Sequence, residues 1–172
     1  MSASAVRFAL ATEWSLAADV DRVWSALMNP LAWPRWWRYV RSVVDVAPGD
    51  AQGVGAIRRY AWTSRLPYTL VFDMRTTRVE RPRLIQGEAT GELEGIGRWL
   101  LESRGAHTDV RYDWMVDVAK PWMRALAPLF APAFRWNHHA VMRAGGEGLA
   151  RFLGTTLASE RALVGDASIE HA

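Results

Sequence analysis

His138 and His139 stand side by side in the last third of the chain, and a histidine pair is a natural place to look for metal or acid–base chemistry. Neighbouring positions on a helix diverge by about 100°, so both imidazoles cannot easily reach one ion. The zinc-protease arrangement, two histidines four apart with a glutamate between them, is absent. Glu147 is the one acid near the pair on the helix, and the other histidine of the folded region, His107, falls at an expected turn. No metal site is expected. His138 is left with two readings, a hydrogen-bond partner inside a cavity or a packed and capped histidine.

Other chemistries are excluded more directly. The chain has no cysteine, which removes disulfides, thiolate zinc sites, iron–sulfur clusters and thiol catalysis together. There is no Gly-x-Ser-x-Gly elbow, no phosphate loop ending in Lys-Ser or Lys-Thr, and no dinucleotide fingerprint after a strand. Gly53-Val54-Gly55 reads as a turn into a strand, and Gly145-Gly146-Glu147-Gly148 lacks the preceding strand that dinucleotide binding requires. Phosphoryl transfer, covalent hydrolysis and nicotinamide chemistry are disfavoured, and no cofactor is expected.

The 172 residues carry a formal charge of +3, and Lys120 is the single lysine among 21 basic residues. The arginines are interleaved with acids, as in Arg75 to Arg81, which describes a solvated mixed-charge surface and not a nucleic-acid stripe. No apolar run approaches the roughly 18 residues of a membrane span. Met1 to Leu16 is broken by Arg7 and Glu13, so no signal-peptide core is seen. The expected setting is a soluble, cytoplasmic protein without stable membrane insertion. Tryptophan is abundant, with 10 residues. So many indoles imply either an aromatic-lined cavity or an aromatic-rich core.

The elements that must position these side chains are legible in order. Val6 to Leu16 alternates weakly as a strand. Val20, Val23, Trp24 and Leu27 share a helical face behind the N-cap candidate Asp19, and Asn29-Pro30 ends that helix. A second short helix spans Leu31 to Trp37. Strands follow over 39–46, 56–63, 68–79, 84–90, 92–102 and 108–118. In the last of these, Val110, Tyr112, Trp114, Val116 and Val118 occupy one face and Asp109, Arg111, Asp113 and Asp117 the other. A closing helix begins near Pro121, with a broken or kinked start at Pro128 and Pro132. Three glycines in one of its turns, Gly145, Gly146 and Gly148, cost roughly 1 kcal/mol each relative to alanine, so the helix there either packs very close to something flat or bends. One domain over residues 1–154 is expected, with 155–172 as a loosely ordered tail.

This order, strand, two short helices, six strands and a long terminal helix, resembles the helix-grip fold of the START/Bet v 1-like (SRPBCC) superfamily. The carrying segments are Asp19 to Trp24, Trp33 to Trp37, Gly91 to Trp99, Thr108 to Trp114 and Phe134 to His138. The last is similar to the polyketide cyclase/dehydrase branch, and the resemblance extends over about residues 6 to 153. It implies an α+β fold in which a curved seven-stranded antiparallel sheet wraps the long C-terminal helix around an apolar cavity.

Residues then expected around the cavity are Tyr60, Trp62, Tyr68, Leu70 and Phe72 from two strands, and Trp99, Leu101, Tyr112 and Trp114 from two others. Phe134, His138 and Met142 come from the helix, and Trp33 and Trp37 from the short helix. Glu88 is included as an inward candidate, although the side of strand 84–90 is undetermined: Gln86 and Glu88 share one face, Ile85 and Ala89 the other. Tyr60, Glu88, Tyr112, His138 and Arg58 are the polar groups that could polarise a carbonyl or move a proton in cyclase-like chemistry. No residue is assigned as catalytic.

The expected partner is a small hydrophobic ligand, aromatic, polyketide-like or lipid-like, with cyclase/dehydrase activity left open. The alternatives are a non-catalytic lipid or quinone carrier or sensor, and a protein-interaction module using an exposed Trp33–Trp37 patch. The same tryptophans have three further readings, as a cap on the core, as a lid, or as a lipid-headgroup contact. Oligomeric state is not readable from the sequence.

Overall fold

The computed structural model describes residues 7–65, 67–118 and 121–164. Asp19 caps the first helix as expected: its side chain accepts from the Asp21 amide at 2.8 Å, and α1 (Val20–Leu27) buries Val23, Trp24, Ala26 and Leu27. After Pro30 a single 3-10 turn (Pro30–Ala32) leads into α2 (Trp33–Trp36). The expected second helix is therefore two short pieces.

Among the described residues, eight strands form one antiparallel sheet: β1 (Arg7–Leu16), β2 (Val40–Ala47), β3 (Ile57–Trp62), β4 (Leu70–Glu80), β5 (Leu84–Gly91), β6 (Leu93–Arg104), β7 (His107–Val118) and β8 (Leu157–Val164). Their spatial order is β2-β3-β4-β5-β6-β7-β1-β8. The long helix α3 (Pro121–Phe152) is continuous through the prolines expected to break its start. The helix-grip architecture is present, with one strand more than the seven expected.

That strand corrects the reading of the tail. Residues Leu157–Val164 pair antiparallel with the outer edge of β1, from Leu16 opposite Leu157 to Leu10 opposite Val164. Without them β1 would present a row of unpaired amides and carbonyls. The remaining tail, 165–172, lies outside the described residues.

Register decides which side chains face α3. Across β3 and β4, Tyr60 opposes Phe72, Trp62 opposes Leu70 and Arg58 opposes Met74. Across β6 and β7, Trp99 opposes Tyr112 and Leu101 opposes Val110. Directly opposed residues share a face, so these rows form the concave side. At Gly95 (φ +153°) a Cβ would collide with the backbone of Met115 and Val116; β6 and β7 meet too closely there for a side chain. The convex side carries ion pairs instead, including Arg59 with Asp73 at 2.7 Å and Arg111 with Asp113 at 2.8 Å.

Candidate functional site

The glycines of α3 explain how the helix is seated. A Cβ on Gly145 would stand 2.6 Å from Cζ2 of Trp37, and one on Gly146 would stand 3.0 Å from Nε1 of Trp14. At Gly148 it would run into the backbone carbonyl of Trp36. The flat partners inferred from the glycine cluster are thus indoles and one stretch of α2 backbone. Trp37 adds a hydrogen bond, its Nε1–H donating to the Val141 carbonyl at 2.8 Å. The C-terminal half of α3 is pinned on tryptophan, and the hollow lies beside its preceding turns.

That hollow has a volume of about 160 Å³. Trp62, Tyr68, Leu70 and Phe72 wall it from β3, β4 and their connection. Trp99, Tyr112 and Trp114 wall it from β6 and β7, and Phe134, His138 and Met142 from α3. Trp33 and Trp37 close it from α2 and the residue after it. Sequence reasoning missed Phe8, Leu93, Val116, Asn137 and Val141, which also line it. Phe8 shares parity with Thr12, Trp14 and Leu16 in β1, a usable but weak signal, whereas Asn137 had no apolar signature.

Tyr60 belongs to a second, smaller hollow of about 90 Å³, with Arg58, Met74 and Ile85. Five aromatic residues, Trp33, Trp62, Phe72, Trp99 and Tyr112, line both hollows and so form the wall between them. Ring centroids of Trp99 and Tyr112 are 4.2 Å apart, and Trp33 meets Trp99 edge-on at 6.2 Å.

Three expectations are corrected. Glu88 is exposed and lines neither hollow. It opposes Arg75 and Ile96 on the convex side, because the pairings Ile85–Trp99 and Gly87–Gly97 turn the other parity of β5 inward. Leu101 is buried but lines neither hollow, packing into the core instead. The Trp33–Trp37 segment is not an exposed patch: Trp33, Trp36 and Trp37 are 7%, 6% and 1% exposed. Their rings cap the core against each other and against Tyr60 and Trp62. Trp136, beneath the Arg65 guanidinium, is an exposed indole.

The lining of the larger hollow is mostly apolar. Among the described residues, no Asp, Glu, Lys or Arg lines it. Burial lowers His138 to a pKa of about 3, helped by the neighbouring His139, so the imidazole is neutral at physiological pH. Burial also raises Tyr112, and it raises Tyr68 together with the charge of Glu92; both phenols keep their protons. Tyr60, in the second hollow, is raised for the same reason of burial. His139 points elsewhere, into a surface groove with Arg38 and Arg143. The two imidazoles, 6.5 Å apart between centroids, serve different surfaces. Two polar atoms on residues of the larger hollow, Trp62 Nε1 and His138 Nε2, are buried without a hydrogen-bond partner. Each such atom costs about 1–3 kcal/mol while unpaired.

Comparison with known proteins agrees with this geometry. The family described as "Polyketide cyclase / dehydrase and lipid transport" matches residues 7–153. Among solved structures, TTHA0849 from Thermus thermophilus superposes with a TM-score of 0.69 at 15% identity, over 84% of this chain and 99% of its own. The Zhui aromatase/cyclase from Streptomyces sp. R1128 gives 0.67 at 13% identity, over 87% and 94%. Major latex-like protein 151 from Panax ginseng gives 0.54 at 11% identity, over 78% and 97%. At such identities the likeness is one of fold. No curated protein matches the sequence.

Proposed function

The chain belongs to the polyketide cyclase/dehydrase and lipid transport family, a hydrophobic ligand-binding fold of the START/Bet v 1-like type, and from that premise we propose that it binds a small, neutral, hydrophobic molecule between the sheet and α3. The carrying observation is the hollow of about 160 Å³ walled by aromatic side chains from five strands and two helices, with no ionised group among the described residues that line it. Solid packing is the rule for protein interiors. A void of this size forfeits dispersion contacts along its whole lining, which a guest would restore.

Binding without acid–base catalysis fits the chemistry better than turnover does. A proton-shuttling group works best with a pKa near ambient pH. His138 lies far below that range and the tyrosines far above it. A cyclase or dehydrase reading keeps one point in its favour: the Tyr112 hydroxyl lies in the wall and could polarise a carbonyl as a neutral donor.

Native mass spectrometry of freshly purified protein, followed by titration with anthrone, 1-dodecanol and 4-ethylphenol, tests the reading. A co-purified neutral adduct or saturable binding of one of these probes is expected. An unadorned mass together with no binding of any of the three would overturn it. Tyr112→Phe and His138→Gln then separate the two versions: loss of conversion with affinity retained would establish the catalytic one.

A further inference from the structure

We infer that the larger hollow selects a single-ring ligand carrying one hydroxyl oxygen, a phenol-like molecule, and that the aromatic wall of Trp33, Trp62, Phe72, Trp99 and Tyr112 excludes fused three-ring and long-chain guests from it. The inference rests on the binding reading above and narrows it to a ligand class by three independent properties of the site.

The first is size. An apolar protein cavity of about 150 Å³ takes up benzene, and the hollow here is about 160 Å³. Inward, between the sheet and α3, it could lengthen only by joining the 90 Å³ hollow next to it. The residues between the two are bulky rings held by contacts on several sides. Trp99 packs against Trp14, Trp33, Trp37 and Tyr112, at centroid distances from 4.2 to 6.2 Å. Opening the wall means moving several of these rings at once, in an interior where small volume changes are already felt. A fused three-ring skeleton or an extended acyl chain therefore cannot be wholly enclosed between the sheet and α3.

The second is charge. With no Asp, Glu, Lys or Arg among the described residues of the lining, a carboxylate or ammonium would be buried without a counter-ion there, a cost that greatly exceeds the gain from one ring.

The third is the pair of unpartnered polar atoms. The Trp62 indole N–H can only donate, so it asks for an acceptor; the neutral His138 Nε2 either donates or accepts according to tautomer. A hydroxyl group can answer either demand, since its oxygen accepts while its proton is free to be donated. A plain hydrocarbon ring satisfies neither and leaves both atoms as costly as before.

Calorimetric titration with 4-ethylphenol, ethylbenzene, 4-ethylbenzoate, anthrone and 1-dodecanol tests the inference. The expected order is 4-ethylphenol first, ethylbenzene about tenfold weaker, and no saturable binding of the other three. In Trp62→Phe and, separately, His138→Phe, each with wild-type circular dichroism, the lead of 4-ethylphenol over ethylbenzene shrinks to about threefold. Anthrone, 1-dodecanol or 4-ethylbenzoate binding as tightly as 4-ethylphenol would overturn the single-ring, neutral assignment while leaving hydrophobic binding intact. An undiminished lead in both variants would overturn the hydroxyl assignment. Failure of every probe would overturn the binding reading itself.

Discussion

Gly145 of α3 lies flat against the indole of Trp37, so close that a Cβ in its place would stand 2.6 Å from Cζ2 of the ring. The same indole donates its N–H to Val141, one helical turn back, at 2.8 Å. One tryptophan thus fixes both the height and the rotation of the long helix over the sheet, and with them the width of the hollow beside Val141 and Met142.

Alanine substitutions along this seam should grade by what the new methyl meets. Gly148→Ala strikes backbone and should cost the most. Gly145→Ala strikes a ring that is hemmed in on every side, and overpacking of about 1–3 kcal/mol is expected, reduced by the roughly 1 kcal/mol that alanine gains in a helix. Gly146→Ala, 3.0 Å from Trp14 Nε1, should be close to neutral because the two effects offset. Urea unfolding of the three variants measures the order, and equal stabilities would show that the helix is not seated as described.

Gly97 controls the opposite wall. A Cβ there would meet the Tyr112 hydroxyl at 2.6 Å and Cζ3 of Trp114 at 2.8 Å. Gly97→Ala should push these rings into the hollow, leaving the fold cooperative but weakening 4-ethylphenol by about tenfold, roughly 1.4 kcal/mol. Fluorescence titration reads this, and unchanged affinity would place the ligand elsewhere.

His138 imposes a pH dependence whose direction is fixed. Its folded pKa of about 3 lies below the ordinary value of 6.5, so between these values the unfolded chain binds the extra proton. The contribution is fully present above pH 6.5 and is lost as pH falls toward 3. Between about pH 7 and 5 the stability of wild type should therefore fall more than that of His138→Gln, by on the order of 1–2 kcal/mol. Parallel stability curves for the two proteins would show that His138 is not held neutral by burial.

On the convex side, Asp113 is buried between Arg111 at 2.8 Å and Arg98 at 3.5 Å. Asp113→Asn removes the carboxylate that Arg98 and Arg111 share, leaving Arg111 the longer contact to Glu13 at 3.8 Å, and a loss of about 1–3 kcal/mol is expected. Arg59→Gln breaks the Asp73 pair, whose arginine is largely in solvent, and should cost clearly less than Asp113→Asn. Thermal or urea unfolding distinguishes them, and a reversed order would contradict the assigned burial.

Much of this was readable from side-chain periodicity, and the exceptions have physical causes. β7 was legible because its inner row, Val110, Tyr112, Trp114 and Val116, alternates with charge. β5 was not, because Leu84, itself buried, shares parity with Gln86 and Glu88; only pairing with Trp99 and Gly97 on β6 shows which side faces in. β8 left little side-chain signature, since it joins the sheet through its backbone and most of its side chains remain in solvent. The tryptophans posed a different problem. Their number announced an aromatic interior, but whether Trp33, Trp36 and Trp37 faced water or core depended on α3 arriving from more than a hundred residues away.

Crystals pressurised with xenon offer the most direct test, because this gas enters apolar voids without needing any specific chemistry. An anomalous peak bounded by Trp99, Tyr112 and Met142 is predicted. Xenon found only at surface positions under the same pressure, with continuous side-chain density across that volume, would contradict the existence of a guest site between sheet and helix.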